Sequence, residues 1–164
     1  MKLLTYRLKK GGAPRVGVLL EGNRIAPLAA PDMLAVIAAG RKAIKLPRKG
    51  LVPLSAMKLL APIPRPRKNV FCVGWNYLEH FQEGAKARAP GVELPAHPTF
   101  FTKAPTTVNG PYDTVPAHAG ITEKLDWEVE LGVIIGKGGI NIAEADAINA
   151  SRSMPMSDAG TSPT

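Results

Sequence analysis

Two short stretches carry residue types that could do chemistry. In "LDWEVELGVIIG", residues Leu125 to Gly136, carboxylates recur at every second position as Asp126, Glu128 and Glu130. Such alternation reads as a strand, on which residues two apart face the same way at about 6.5–7 Å. Acids in a row repel and raise one another's pKa unless something positive intervenes. Hard oxygen ligands suit Mg2+, Mn2+ or Ca2+, and no Cys–His cluster offers a zinc alternative. The plainer reading is an amphipathic strand whose acids face water. Trp127 and the apolar run after it argue instead for a central strand buried on both faces. These carboxylates are too few for a full cation site, so further ligands must come from elsewhere.

The second stretch is "FCVGWNYLEHFQEG", Phe71 to Gly84. A buried-type strand reaches Gly74, and Asn76 is placed to cap a helix by accepting from one of its first amides. His80 and Glu83 then lie three apart on one helical face. A carboxylate beside an imidazole fixes its tautomer, an arrangement suited to a general base acting on water. An incidental His–Glu pair on an exposed helix has the same spacing, so spacing alone leaves both readings open.

The elements that would position these residues can be read along the chain. "KLLTYRL" and "RVGVLLEG" have strand character and are joined by the turn "KKGGAP"; "EGNRIAPL" supplies a further turn and strand. In "PDMLAVIAAGRKAIKL", Leu34, Ile37, Ala38 and Ile44 keep a helical spacing that ends near Gly40 or Leu46-Pro47. The proline-rich run Pro62–Lys68 is a stiff linker, which separates a small α+β domain, residues 1–66, from residues 67–150. The later part contains strand "NVFCVG", helix "NYLEHFQEGAKA", loop "RAPGVELPAHP", strand "TFFTK", turn-rich "APTTVNGPYDTVP" and the acidic strand. The fold class expected is α+β, mainly β.

Composition narrows the partners. At 164 residues with 45% hydrophobic content the chain can build an ordinary globular core. A net charge of +8 comes from basic clusters such as "GRKAIKLPRKG" and "PRPRK". These lack the aromatic interleaving of a single-strand binder and any recognition-helix pattern, so solvated loop charge accounts for them better than nucleic acid does. No apolar stretch is long enough to span a bilayer, and "MKLLTYRLKKGG" meets charge too early for a signal peptide. Cys72 stands alone, so no internal disulfide framework exists and a reducing, cytoplasmic setting is expected.

Taken together, "NVFCVGWNYLEH", "PTFFTKAPTTVNGP" and "LDWEVELGVIIGKG" resemble the fumarylacetoacetate hydrolase family, in order and spacing, over roughly Met1 to Asn149. The resemblance implies a small N-terminal domain followed by the first part of a mixed β-sandwich roll, usually paired as a homodimer. It implies chemistry on small β-diketo and oxo acids of acylpyruvate or fumarylpyruvate type, which members cleave, decarboxylate or isomerise around Mg2+ or Mn2+. On this likeness Glu128 and Glu130 match the metal-ligating glutamates, and His80 with Glu83 matches a water-activating dyad. Lys103 matches the lysine after the "FF" strand, close to the site.

The likeness stops after "GINIAEADAIN". In the family the next strand carries a "NDVSARD"-like segment whose Asp completes the metal triad. Here "ASRSMPMSDAGTSPT" follows, residues 150–164, with Asp158 near the expected distance but among Ser, Pro, Gly and Thr. Residues 151–164 read as an atypical, disordered tail, as a truncated gene or shifted frame would produce. Three readings stand: a family-type enzyme, an inactive family fragment, and a basic binding module on the same fold.

Overall fold

The computed structural model describes residues 1–84, 89–136 and 138–147. The chain divides into two compact units, one made of Met1–Pro64 with Asn109–Thr164 and the other of Arg65–Val108. Each is built around antiparallel pairing, and the fold class is α+β, mainly β.

The first unit holds a five-stranded sheet. Its strands are β1 (Lys2–Leu8), β2 (Gly11–Leu20), β3 (Arg24–Pro27), β4 (Val52–Pro53) and β5 (Met57–Leu60), in the order β4-β3-β2-β1-β5. Lys9 and Lys10 form the tight connection, with Leu8 opposite Gly11. The turn is therefore shorter than "KKGGAP", because β2 already begins at Gly11, paired with Leu8, and passes through an irregularity before Arg15 pairs with Tyr6. Successive side chains point to opposite faces of a strand, and both faces of this sheet are used. On one face Tyr6, Ile25 and Met57 form a buried cluster, flanked by Leu4, Leu19, Val52, Leu54 and Leu59. Val16, on the other face, packs with Met33 and Val36 of helix α1 (Met33–Ala39). Burial of each such side chain contributes about 1.5–3 kcal/mol.

α1 is short, and its ends are well specified. The Asp32 carboxylate accepts from Ala35 N at 2.8 Å, the usual N-cap bond. At the other end Gly40 has φ 74°, and its N–H donates to the carbonyls of Val36 and Ile37. Such a left-handed C-terminal position favours glycine, which has no Cβ to clash. Gly17 is required for a different reason: a Cβ there would lie 2.5 Å from Ile25 Cγ2 and 2.9 Å from the Ala26 carbonyl oxygen. Buried Thr5 donates its hydroxyl to the Pro62 carbonyl at 2.6 Å, which anchors the chain after β5.

The second unit is a two-stranded sheet of β6 (Val70–Gly74) and β7 (Thr99–Lys103), with helix α2 (Leu78–Glu83) in the connection. Register pairs Val70 with Lys103, Cys72 with Phe101 and Gly74 with Thr99. Cross-strand partners share a face, so these six side positions lie together and Phe71, Val73, Phe100 and Thr102 occupy the opposite face. Cys72, a free thiol, is buried. Phe71 and Phe100 remain 69% and 63% exposed.

The acidic stretch departs from the sequence reading. Only Trp127 makes an isolated bridge, and the rest of Leu125–Gly136 has no regular secondary structure. Leu125, Trp127, Val129, Leu131, Val133 and Ile135 are all exposed, Trp127 at 64%, so this is not a central strand buried on both faces. Alternation shows which side chains would share a face. A strand also needs neighbours to satisfy its backbone, and among the described residues this stretch lacks a paired ladder.

Candidate functional site

His80 and Glu83 both fall on α2, in the second unit. Three residues apart on one helix, they share a face, and both side chains are exposed. Asn76 is not the cap of this helix. The chain enters its helical turn one residue later, with Tyr77 in the extended N-cap position and no side-chain capping bond. Phe81 N donates to Tyr77 O at 3.2 Å, and the Gly84 N–H closes the last turn onto the carbonyls of His80 and Gln82.

The junction between β6 and α2, Trp75 to Tyr77, contains one residue of unusual geometry. Trp75 has φ 50°, in the left-handed region, which costs an L-residue with a bulky side chain roughly 1–2 kcal/mol. Its ring meets Phe81 edge to face, with centroids 5.5 Å apart and planes at 85°. An open cleft at this end of the hairpin is lined by Trp75, Asn76, His97 and Thr99 among others. Neither Trp75 nor His97 was a candidate on sequence grounds. The one sequence signal was an aromatic residue between Gly74 and Asn76, where a strand had to become a helix.

Lys103 closes β7 opposite Val70 and is half-buried. Its Nζ lies 6.0 Å from the centroid of the Phe101 ring, two residues back on the same face. That distance is within the range of a cation–π contact, which directs the ammonium along the sheet surface.

Glu128 and Glu130 lie in the first unit, exposed, in the irregular stretch around Trp127. No hydrogen bond or ion pair engages either carboxylate among the described residues. Asp126 differs: its Oδ1 accepts from Trp127 N at 2.8 Å. Two unengaged carboxylates two residues apart are a donor set of the right hardness for Mg2+ or Mn2+. In number they fall short, since the described residues contain no group of three or more His, Cys, Asp or Glu side chains that could hold a metal ion. Asp158 and all of residues 151–164 lie outside the described residues.

Comparison with known proteins places these residues in context. Residues 69–151 match the family described as fumarylacetoacetate (FAA) hydrolase C-terminal, slightly more than half the chain and a span that includes all five candidates. The chain belongs to the fumarylacetoacetate hydrolase family. It is 48% identical over 95 residues to oxaloacetate tautomerase YisK of Bacillus subtilis (strain 168), covering 57% of this chain and 30% of that protein. To a mitochondrial oxaloacetate tautomerase of Homo sapiens it is 32% identical over 161 residues, covering 90% of this chain and 49% of the relative. A fumarylacetoacetate hydrolase from psychrophilic Exiguobacterium antarcticum has a similar structure, with a TM-score of 0.63 at 29% identity, over 91% of this chain and 52% of that one. The chain thus spans about half the length, or less, of the family members it matches. Among the described residues no helix is long and apolar enough to cross a membrane.

Proposed function

We propose that this chain supplies the acid–base residues of a family enzyme that interconverts the keto and enol forms of a small 2-oxo dicarboxylic acid, with oxaloacetate the model substrate. The observation that carries this reading is the family match over residues 69–151, which takes in His80, Glu83, Lys103, Glu128 and Glu130 together. The tautomerase names of the relatives support the choice of reaction within the family. On the same grounds we assign residues 1–66 to a small N-terminal domain and 67–150 to the first part of the catalytic domain.

Tautomerisation moves one proton between the carbon beside the oxo group and the oxo oxygen, and breaks no bond of the carbon skeleton. It needs a group that can both take and return a proton near neutral pH, which an imidazole does best. In the keto-to-enol direction His80 takes the proton from the carbon beside the oxo group and delivers it to the enolate oxygen, and the reverse direction runs these two transfers backwards. Glu83, one helical turn away on the same face, orients the ring. Lys103 holds a substrate carboxylate as a point charge. Glu128 and Glu130 would hold a hard divalent cation, which when bound supplies Lewis-acid polarisation of the oxo group.

The His80–Glu83 spacing also favours a second reading, hydrolysis of an acylpyruvate, in which His80 would deprotonate water instead of carbon. One assay separates the two. The chain is given oxaloacetate and, separately, an acylpyruvate, with Mg2+ or Mn2+ present, and enol absorbance and released pyruvate are followed. Accelerated enol–keto exchange without carbon–carbon cleavage is the expected result. His80→Ala should lower the rate by about 10²–10⁴-fold, and Glu83→Gln by less because it acts through the ring. Full rate without His80 would remove the dyad from the mechanism. Turnover of neither substrate would leave an inactive fragment of the family as the correct reading.

A further inference from the structure

His80 is carried by a helix with little of its own to hold it. α2 has six residues and buries none of them, far below the length at which a helix is stable by itself. Its N-terminus also lacks a side-chain cap. Two features of Trp75 offset this deficit. The left-handed backbone at φ 50° sets the angle at which the chain leaves β6, and the indole meets Phe81 edge to face at 5.5 Å. Phe81 directly follows His80, so a ring that fixes Phe81 also fixes the backbone from which the imidazole projects. A bulky aromatic residue at positive φ is a conformation that persists only where the surroundings over-determine it.

We propose that Trp75 is the positioning residue for His80: its backbone aims α2 and its ring clamps Phe81, so that the imidazole is held ready for proton transfer. The proposal rests on the reading of His80 as the proton-transfer group. Two kinds of measurement on the whole chain test it. In hydrogen exchange, the Phe81 and Gly84 amides should exchange about three- to tenfold faster in Trp75→Ala, as the loss of an aromatic pair predicts, with β6 and β7 amides unchanged. Trp75→Phe should keep most of the protection. Trp75→Gly relieves the backbone strain but removes the ring, and should behave like the alanine variant. Phe81→Leu should match Trp75→Ala, and the double variant should be no worse than either single one.

In kinetics, Trp75→Ala should lower kcat about tenfold with KM within about twofold, the signature of an interaction made in the transition state. The same change made in a His80→Ala background should cost nothing further. Unchanged exchange in Trp75→Ala, or amides already at the unprotected rate in the unaltered chain, overturns the clamp. An equal loss of kcat with and without His80 reduces Trp75 to a packing role and also overturns it. Turnover that survives His80→Ala is a different failure: it unseats the dyad itself, and the positioning role falls with it.

Discussion

Asp126, Glu128 and Glu130 are alike in charge and spacing but differ in what they already hold. Asp126 accepts a hydrogen bond from the next residue's amide, whereas Glu128 and Glu130 are unengaged among the described residues. On the function proposed above, a cation would therefore gain most from the two glutamates. Titration calorimetry with Mn2+ should show Glu128→Ala and Glu130→Ala each weakening binding by about tenfold or more, because affinity for a hard cation follows the number of charged oxygen ligands. Asp126→Asn should change it much less. Unaltered binding in both glutamate variants would move the metal site elsewhere. Alternation alone does not separate the three acids; the family resemblance is what singles out Glu128 and Glu130.

Among the elements, β2 shows how a single side position can hold a sheet together. Gly17 lies opposite Leu4 on β1 and Pro27 on β3. The Tyr6 ring comes within 3.2 Å of where its Cβ would be, and Ile25 and the Ala26 carbonyl come closer still. Gly17→Val should therefore destabilise the first unit by about 1–3 kcal/mol, the usual cost of overpacking. Urea unfolding followed by circular dichroism reads this as a lower midpoint with an unchanged slope; a midpoint equal to that of the parent chain would contradict the packing described. The strands around it were legible because β1, β2 and β3 follow one another with short turns. β5 was not, since its pairing with β1 joins Thr5 to Leu60 across the intervening β2, β3, α1 and β4. A local pattern does not encode a contact of that separation.

Across the whole molecule, long-range contacts decide what each unit includes. Within the first unit Asp113 meets Lys58 of β5 at 2.5 Å. The hydrogen bond from Lys58 is the main cause holding the Asp113 carboxyl below its ordinary 3.8, with the Lys58 and Arg7 charges and the Gly110 amide adding to it. A carboxylate whose pKa is depressed in the folded state contributes stability above its unfolded pKa and loses it as pH falls through the folded value. Asp113→Asn should thus be less stable than the parent at pH 6, and the gap should close as pH drops below roughly 4. Urea midpoints at pH 6 and pH 3 check this, and a gap that persists at pH 3 would assign the difference to another cause.

What the sequence determined by itself was the family. The blocks "NVFCVGWNYLEH", "PTFFTKAPTTVNGP" and "LDWEVELGVIIGKG" are short-range patterns that resemble one family in their order and spacing, and the match over residues 69–151 bears that out. Strands β1, β2, β3, β6 and β7 and helices α1 and α2 were also legible, because side-chain periodicity and turn residues act over a few positions. Tertiary structure decided the rest. It placed Tyr77 rather than Asn76 at the start of α2 and put Trp75 in a left-handed conformation against Phe81. It also left Leu125–Gly136 exposed and without a ladder. The physical reason is common to all three: a backbone angle, a ring contact and a strand's pairing depend on which distant or neighbouring groups are present to satisfy them, and periodicity records only which side chains would face the same way.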